Sequence, residues 1–326
     1  MKIQLESQVI DLSERWIELV GNNQVQSVCN VQDESGNTIT IQYGLQLVNN
    51  EIQQFCVYHD SKTPFLVETD YIPEEIKLTT ADSQIPITVK IILNYRMFYT
   101  KSDPSIVRLD GKIRQLLLEK PHNDEICSFC VGNWNLIDRP ALYKIVLPIT
   151  RRKLDIHWNI APQEHKGHFL IVPEITELTN RRPQYLILED MENLFDLVLH
   201  CVDSTSGWFG YNCIGAGASQ NHIHYQGFNC SSPVFQHNYT QFTKYSIFKL
   251  ENWEIEFYLR NNYHSQNCEC NCIEIKFKQT KIVELSQEIL NEITSFIYSF
   301  IQVFIGEQIP FNLLINKEKI FIFVRK

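Results

Sequence analysis

Apolar residues recur along this chain at two spacings, and the spacings alternate in a repeated order. Recurrence at every second residue marks a strand, and recurrence at every third or fourth marks one face of a helix. Residues 154–159 and 168–173 read as strands joined by a turn, the second stopped by Pro173. Residues 183–203 then carry Leu186, Leu188, Met191, Leu194, Leu197, Val198 and Cys201 at helical spacing. Strands at 211–214 and 222–228 follow, with a small-residue loop between them. The tail runs through the same order. Strands at 253–259 and 273–278 precede a long helix at 283–305 and closing strands at 310–316 and 320–324. Helix, strand, strand thus closes both halves, and only the first half has a His-x-His on its last strand. The pattern predicts an α+β fold built by duplication.

The first 120 residues are patterned more weakly. Residues 8–19 predict a short helix, and 39–47, 53–58 and 85–99 predict strands. Residues 105–119 place Ile106, Leu109, Ile113, Leu116 and Leu117 on one helical stripe, which Pro121 ends. The expected organisation is a mixed α/β extension of unassigned role at 1–120, a catalytic half at 121–230 and a second, non-catalytic half at 231–326.

Composition narrows the function classes. The chain has 326 residues with 44% hydrophobic and 12% aromatic, enough for a sizeable core. A formal charge of −9 argues against a general nucleic-acid or anionic-membrane binder, while leaving room for a local basic pocket. Two small basic clusters, Arg151-Arg152-Lys153 and Arg181-Arg182, would serve either a substrate phosphate or a solvated turn. The first residues are polar and lack a signal-peptide core. The most apolar stretch, 293–305, is interrupted by Thr294, Ser295, Ser299 and Gln302, so no membrane span is expected. Ten cysteines without a secretory signal read as reduced thiols or metal ligands. A soluble, cytoplasmic protein is expected.

Polar chemistry concentrates in residues 210–226, Gly-Tyr-Asn-Cys-Ile-Gly-Ala-Gly-Ala-Ser-Gln-Asn-His-Ile-His-Tyr-Gln. On a strand, His222, His224 and Gln226 would line one face, with Ile223 and Tyr225 on the other. A neutral imidazole is a good nucleophile near pH 7. At phosphorus it forms a phosphoramidate, which splits one displacement into two. Backbone N–H groups of the Gly/Ala loop, Ser219 and the Gln226 amide can donate to the non-bridging oxygens. Gln226 has no titratable proton, which suits transfer between anionic phosphates. The bland alternative is a strand with two structural histidines. The loop and the third alternate amide weigh against it.

These residues carry a resemblance. His222-Ile223-His224-Tyr225-Gln226 resembles the His-x-His-x-Gln signature of the histidine-triad superfamily, in its transferase branch of uridylyltransferases, dinucleoside-tetraphosphate phosphorylases and GDP-hexose phosphorylases. The hydrolase branch usually has a third His where Gln226 stands. Residues 121–133, ending Cys127-Ser128-Phe129-Cys130-Val131-Gly132-Asn133, are similar to the Cys-Pro-Phe-Cys-x-Gly-Asn segment of uridylyltransferases. Asn159-Ile160-Ala161-Pro162 with Gly167-His168-Phe169-Leu170-Ile171-Val172-Pro173 is similar to the superfamily's strand pair. Asn312-Leu313-Leu314-Ile315 and Phe321-Ile322-Phe323-Val324-Arg325 resemble the closing strands of the phosphorylases.

The resemblance covers about residues 121–326 and implies a histidine-triad-like antiparallel sheet with packed helices in a duplicated half-barrel architecture. It implies His224 as the nucleophile and Gln226 as the residue that orients the transferred phosphoryl group. Ser219, Gly217 and Asn212 would contact phosphates, Asn159 would lie near the ribose, and His168 and His222 would support. His168 reads equally as a satisfied core-edge histidine. The substrate would be a nucleoside diphosphate sugar or dinucleoside polyphosphate, with inorganic phosphate or a sugar phosphate as acceptor. Edge strands in this superfamily pair between subunits, which allows a homodimer.

The pattern breaks at a metal. In metal-containing members a structural zinc is held by the C-x-x-C pair, a later His and the first His of His-x-His, a tetrahedral N/S set. Cys127, Cys130 and His222 match three of these positions. The fourth falls near Thr176, which cannot replace an imidazole, and His165 or His168 is the nearest substitute. The alternative is two buried thiols without metal. Cys268, Cys270 and Cys272 form a second array that reads as a soft-metal set or a cysteine-rich edge. Two other functions compete with transfer: a nucleotide hydrolase, and a non-catalytic nucleotide-binding protein.

Overall fold

The structure, a computed structural model, describes residues 1–5, 8–32, 38–60, 75–79, 86–90, 141–159, 167–173, 183–202, 207–216, 218, 222–229, 242–260, 272–281 and 284–324. The chain divides into two compact units. One comprises Met1–Ile10, Arg108–His157 and Leu170–Lys326, and the other Asp11–Val107 and Trp158–Phe169.

The smaller unit begins at a helix. Helix α1 (Leu12–Gly21) directly follows strand β2 (Val9–Asp11), which pairs with β1 (Lys2–Gln4) of the larger unit's N-terminal segment. Residues 8–19 predicted a helix from residue 8. It starts four residues later because Val9–Asp11 is strand and the Asp11 carboxylate caps the helix. That carboxylate accepts from the backbone N–H of Ser13 at 3.0 Å and of Glu14 at 3.2 Å. Leu12, Trp16, Leu19 and Val20 fall on one face and are buried. The Trp16 ring meets Phe169 edge-on, with centroids 5.5 Å apart. Strands β3 (Gln26–Gln32), β4 (Thr38–Val48) and β5 (Glu51–Asp60) form an antiparallel meander, and β6 (Glu75–Thr79) pairs with β7 (Pro86–Lys90).

The larger unit is built on a sheet of ten strands. They are β8 (Tyr143–Val146), β9 (Lys153–Trp158), β10 (His168–Pro173), β11 (Gly207–Asn212), β12 (Tyr225–Asn229), β13 (Phe242–Lys249), β14 (Trp253–Arg260), β15 (Cys272–Gln279), β16 (Phe311–Ile315) and β17 (Lys319–Val324). Their order across the sheet is β13-β14-β15-β17-β16-β11-β12-β10-β9-β8. Read inward from either edge the order is the same: three strands in sequence, then the fifth, then the fourth. Strands β11 and β16 meet at the centre and pair antiparallel. Helix α2 (Leu188–Leu199) precedes β11, helix α3 (Gln287–Gly306) precedes β16, and the two helices pack on each other. With three helices among the described residues and one large antiparallel-rich sheet, the fold class is α+β.

Ring contacts identify the sheet face that the helices cover. Phe304 of α3 meets Phe311 at 5.9 Å, and Phe311 meets Tyr211 at 6.1 Å. Phe195 of α2 meets Phe277 at 5.2 Å. Leu290, Ile293, Thr294, Ile297 and Ile301 form the buried stripe of α3, and the Ser286 hydroxyl caps it by accepting from the Ile289 N–H at 3.4 Å. By length and a mean hydropathy of 1.4, α3 is long and apolar enough to cross a membrane. The interruptions at Thr294, Ser295, Ser299 and Gln302 do not take it below that length and hydropathy. Thr294 and Ser299 fit such a helix because their hydroxyls donate to its own carbonyls, Leu290 and Ser295. One stripe of the helix is buried, and it packs against α2.

Three further boundaries differ from expectation. The helix expected at 183–203 spans only Leu188–Leu199. Its start is fixed by Asp190, whose carboxylate accepts from the Ile187 N–H at 2.9 Å. The strand expected at 211–214 is Gly207–Asn212, and that expected at 222–228 is Tyr225–Asn229. His222 and His224 therefore lie just before the ladder, not within it. All four residues from His222 to Tyr225 are buried, so burial does not alternate there.

Candidate functional site

The lead-in to β12 is held by a side chain rather than by strand pairing. Strands β11 and β12 pair Gly207 with Asn229 through Gly210 with Gln226. Continued by two residues, that register would set Asn212 opposite His224. The Gln184 amide occupies this place instead. Its Nε2 donates to the carbonyls of Asn212 at 2.9 Å and His224 at 3.1 Å, and its Oε1 accepts from the His224 N–H at 2.9 Å. Tyr211 donates its hydroxyl to the Gln184 carbonyl at 3.0 Å. Gln184 is 1% exposed, so these bonds form away from water, where an unmade one is expensive. Sequence reasoning missed Gln184. Its sole sign in the chain is an amide next to Pro183 ahead of an apolar helix.

The His224 ring is set by one bond. Its Nδ1 lies 2.7 Å from the His222 carbonyl, which can only accept, so Nδ1 carries the proton and Nε2 the lone pair. Burial lowers the His224 pKa from 6.5 to about 4, and the bond to the His222 carbonyl offsets only part of that. The imidazole is neutral at pH 7 in the tautomer whose Nε2 can attack an electrophile. His222 is fully buried beside it.

The next residues along β12 split between the two faces. Tyr225 turns to α2 and donates its hydroxyl to Asp190 at 2.6 Å, while the Asn193 Nδ2 approaches the same hydroxyl at 3.5 Å. Gln226 lies on the opposite face, directly across from Gly210. A Cβ on Gly210 would meet the Phe228 ring at 3.2 Å, so glycine lets that ring pack close against the strand. In the next strand Asn312 stands directly across from Asn212 on the same face. Trp208, Phe228, Leu314, Phe321, Phe323 and Cys272 form an apolar cluster near them.

After Asn212 the chain turns away from the sheet. The Ala216 N–H donates to the Cys213 carbonyl at 2.9 Å, and Gly215 takes a φ of 84°, a turn geometry that favours glycine at its third position. Gly217 and Ser219 lie outside the described residues, as do Cys127, Cys130, Cys268, Cys270, His165, Thr176 and the Arg181-Arg182 cluster. Of the expected zinc set only His222 is described.

Asn159 and His168 are brought together at the facing ends of β9 and β10. The Asn159 Nδ2 lies 3.2 Å from His168 Nε2, and its backbone N–H donates to the His168 carbonyl at 3.0 Å. His168 is buried. Of the basic cluster at 151–153, Arg152 is committed to structure. It binds the Glu192 carboxylate at 2.7 Å and donates to the Glu189 carbonyl at 2.9 Å, both on α2.

No protein family profile and no curated protein matches this chain. Among solved structures it is similar to the yeast Ap4A phosphorylase Apa2. In complex with Ap4A that structure has a TM-score of 0.33 and 13% identity over 56% of this chain and 72% of the phosphorylase. In complex with AMP the TM-score is 0.32 with 13% identity, over 58% and 72% of the two chains. TM-scores this low do not assign a shared fold.

Proposed function

We propose that the chain is a nucleotidyltransferase of the histidine-triad type, acting in the cytoplasm through a nucleotidyl-histidine intermediate. The observation that carries this reading is the state of His224: neutral at pH 7, with Nδ1–H bound to the His222 carbonyl and its backbone held by Gln184. A fixed tautomer and a clamped main chain also occur at structural histidines. A nucleophile needs both, because attack at phosphorus requires an aimed lone pair.

In this reading a nucleoside diphosphate sugar or dinucleoside polyphosphate binds with its α-phosphate before His224. Nε2 attacks phosphorus, the bond to the bridging oxygen breaks, and a sugar phosphate or nucleotide leaves. Inorganic phosphate or a sugar phosphate then attacks the phosphorus from the vacated side and restores the imidazole. The Gln226 amide orients the transferred phosphoryl group, Asn212, Gly217 and Ser219 contact phosphates, and Asn159 serves the ribose. Residues 121–230 form the catalytic half and 231–326 the second half. A zinc at Cys127, Cys130 and His222 would be structural, and no transfer step passes through it.

The test is to incubate the protein with labelled nucleotide sugars and dinucleoside polyphosphates, denature it, and count retained label. Label is expected on wild type and absent from His224→Ala. A labelled His224→Ala variant would overturn the assignment. Product release that does not respond to added phosphate would favour hydrolysis instead.

A further inference from the structure

At the centre of the sheet, where the two halves meet, two asparagines face each other. Asn212 ends β11 and Asn312 lies in β16, and they are partners in register. Residues so paired carry their side chains on one face, with Cβ atoms about 5 Å apart. Gln226, Gly210 and Leu314 share this face one step along the strands. The face is the one opposite the helices, since Tyr211 and Phe311 contact Phe304 of α3 on the other side, directly or through each other.

Asn312 is unusual in its hydrogen bonding. Its Oδ1 is buried and, among the described residues, accepts no hydrogen bond. Native proteins leave few buried acceptors unmade, because each forfeits its hydration without replacement. On the side away from Asn212 the surroundings are apolar. Phe323 is its partner on the far side in β17, and Leu314 and Phe323 both pack against the cluster of Trp208, Phe321 and Cys272. Two asparagines and Gln226 set beside an aromatic, apolar floor have the composition of a small-ligand site, with few polar groups placed to fix orientation.

We propose that Asn312, contributed by the half of the sheet without the histidines, is a substrate-binding residue whose Oδ1 accepts a hydrogen bond from a sugar hydroxyl of the substrate. The inference rests on the reading of His224 as the nucleophile. The chemistry of the acceptor selects the ligand group. A polyphosphate chain near neutral pH presents oxygens that accept, so it leaves Oδ1 unmade. A ribose or hexose hydroxyl donates and satisfies it. The substrate site therefore spans both halves: His224, Asn212 and Gln226 take the phosphates, and Asn312 reads a sugar across the central strand pair.

The experiment compares wild type with Asn312→Leu, which keeps the branched shape and removes the acceptor. Calorimetric titrations use Ap4A, GDP-glucose, UDP-glucose, AMP and inorganic tripolyphosphate on the full chain. Asn312→Leu is expected to weaken the sugar-bearing ligand that wild type binds best by about tenfold, the value of one hydrogen bond, and to leave tripolyphosphate unchanged. A loss shared by AMP assigns the hydroxyl to the transferred nucleotide, and a loss confined to Ap4A or the nucleotide sugars assigns it to the leaving group. The unliganded variant should melt no lower than wild type, because an unmade buried oxygen has been replaced by an apolar group. Unchanged affinities, equal losses for tripolyphosphate, or a variant that melts several degrees lower would overturn the proposal. If wild type forms the His224 adduct while Asn312→Leu binds normally, this inference alone falls. If wild type binds none of the five ligands, it falls together with the transferase reading.

Discussion

Replacing Gln184 with leucine removes the clamp on His224 while keeping most of the side-chain volume. Three hydrogen bonds go with it, at 2.9, 3.1 and 2.9 Å. The His224 N–H is left buried without an acceptor, which costs about 1–3 kcal/mol. The carbonyls of Asn212 and His224 each lose one donor and add about 1 kcal/mol apiece. The expected loss of stability is about 3–5 kcal/mol, a fall in melting temperature of roughly 10 °C. The functional loss should be larger than stability alone explains. With the clamp gone the lead-in to β12 can part from Asn212, and a displacement of about 1 Å at a nucleophile costs on the order of 100-fold in rate.

Imidazole nitrogen NMR on the folded variant measures this without any substrate. In wild type, His224 should stay neutral down to about pH 4, with the proton on Nδ1. In Gln184→Leu, water reaches the ring, desolvation eases, and the pKa should climb toward 6.5. Tyr211→Phe is the control. It loses the hydroxyl bond to the Gln184 carbonyl at 3.0 Å but leaves the amide in place. It should cost about 1 kcal/mol and leave the His224 titration unmoved. A folded Gln184→Leu protein with its His224 pKa still near 4 and its rate of adduct formation within twofold of wild type would refute the clamp.

Two further predictions concern pH. His224 is neutral in the folded protein down to about pH 4, whereas in the unfolded chain it takes a proton near 6.5. Its contribution to stability is therefore intact above pH 6.5 and falls as the pH drops toward 4, by about 3 kcal/mol in all; denaturant titrations between pH 7 and 4 should show that slope reduced in His224→Gln, and an equal slope would refute it. His200 behaves oppositely. Burial lowers its pKa, but the hydrogen bonds and charge of Asp196 outweigh burial and raise it above 6.5, with Lys317 opposing. The stabilisation is complete below pH 6.5 and is lost as the pH rises through the folded pKa. The His200 carbonyl accepts from the Gln4 N–H, and the Val202 N–H donates to the Lys2 carbonyl. Exchange of those two amides, corrected for intrinsic rates, should accelerate above neutral pH in wild type and lose that dependence in Asp196→Asn.

Sequence periodicity read the strands of the sheet well where both faces are buried. The strand expected at 168–173 is β10, and those expected at 310–316 and 320–324 contain or overlap β16 and β17. It missed β13, an edge strand in which Tyr245, Ile247 and Phe248 are exposed, because an edge strand imposes no strict alternation of burial. It also carried the β12 strand back to His222. Alternation cannot show where a ladder stops, and here it stops because a side chain from residue 184 replaces the next pair. Gln184 is 40 residues from His224 in sequence. Its role follows from tertiary packing and has no local signature. Asn312 was legible as part of a closing strand, but its position across from Asn212 depends on register, which a single sequence does not specify.

The repeated strand order raises the question of why only one half would carry chemistry, and the connections answer it. In the second half β16 joins β17 through residues 316–318. The Asn316 side chain accepts from the backbone N–H of Glu318 and Lys319, both at 3.0 Å, and its own N–H donates to the Lys319 carbonyl at 3.0 Å. Three backbone donors of that turn are spent on the turn itself, as expected of a side chain that closes its own loop. In the first half β11 joins β12 through residues 213–224, a length that includes the Gly215 turn and both histidines. Strand order alone therefore does not make a site. The two connections differ in length, and the histidines lie at the end of the longer one. Gln184 fixes that end at His224. What the second half keeps is its sheet face, and there Asn312 is the polar group that the short turn leaves in place.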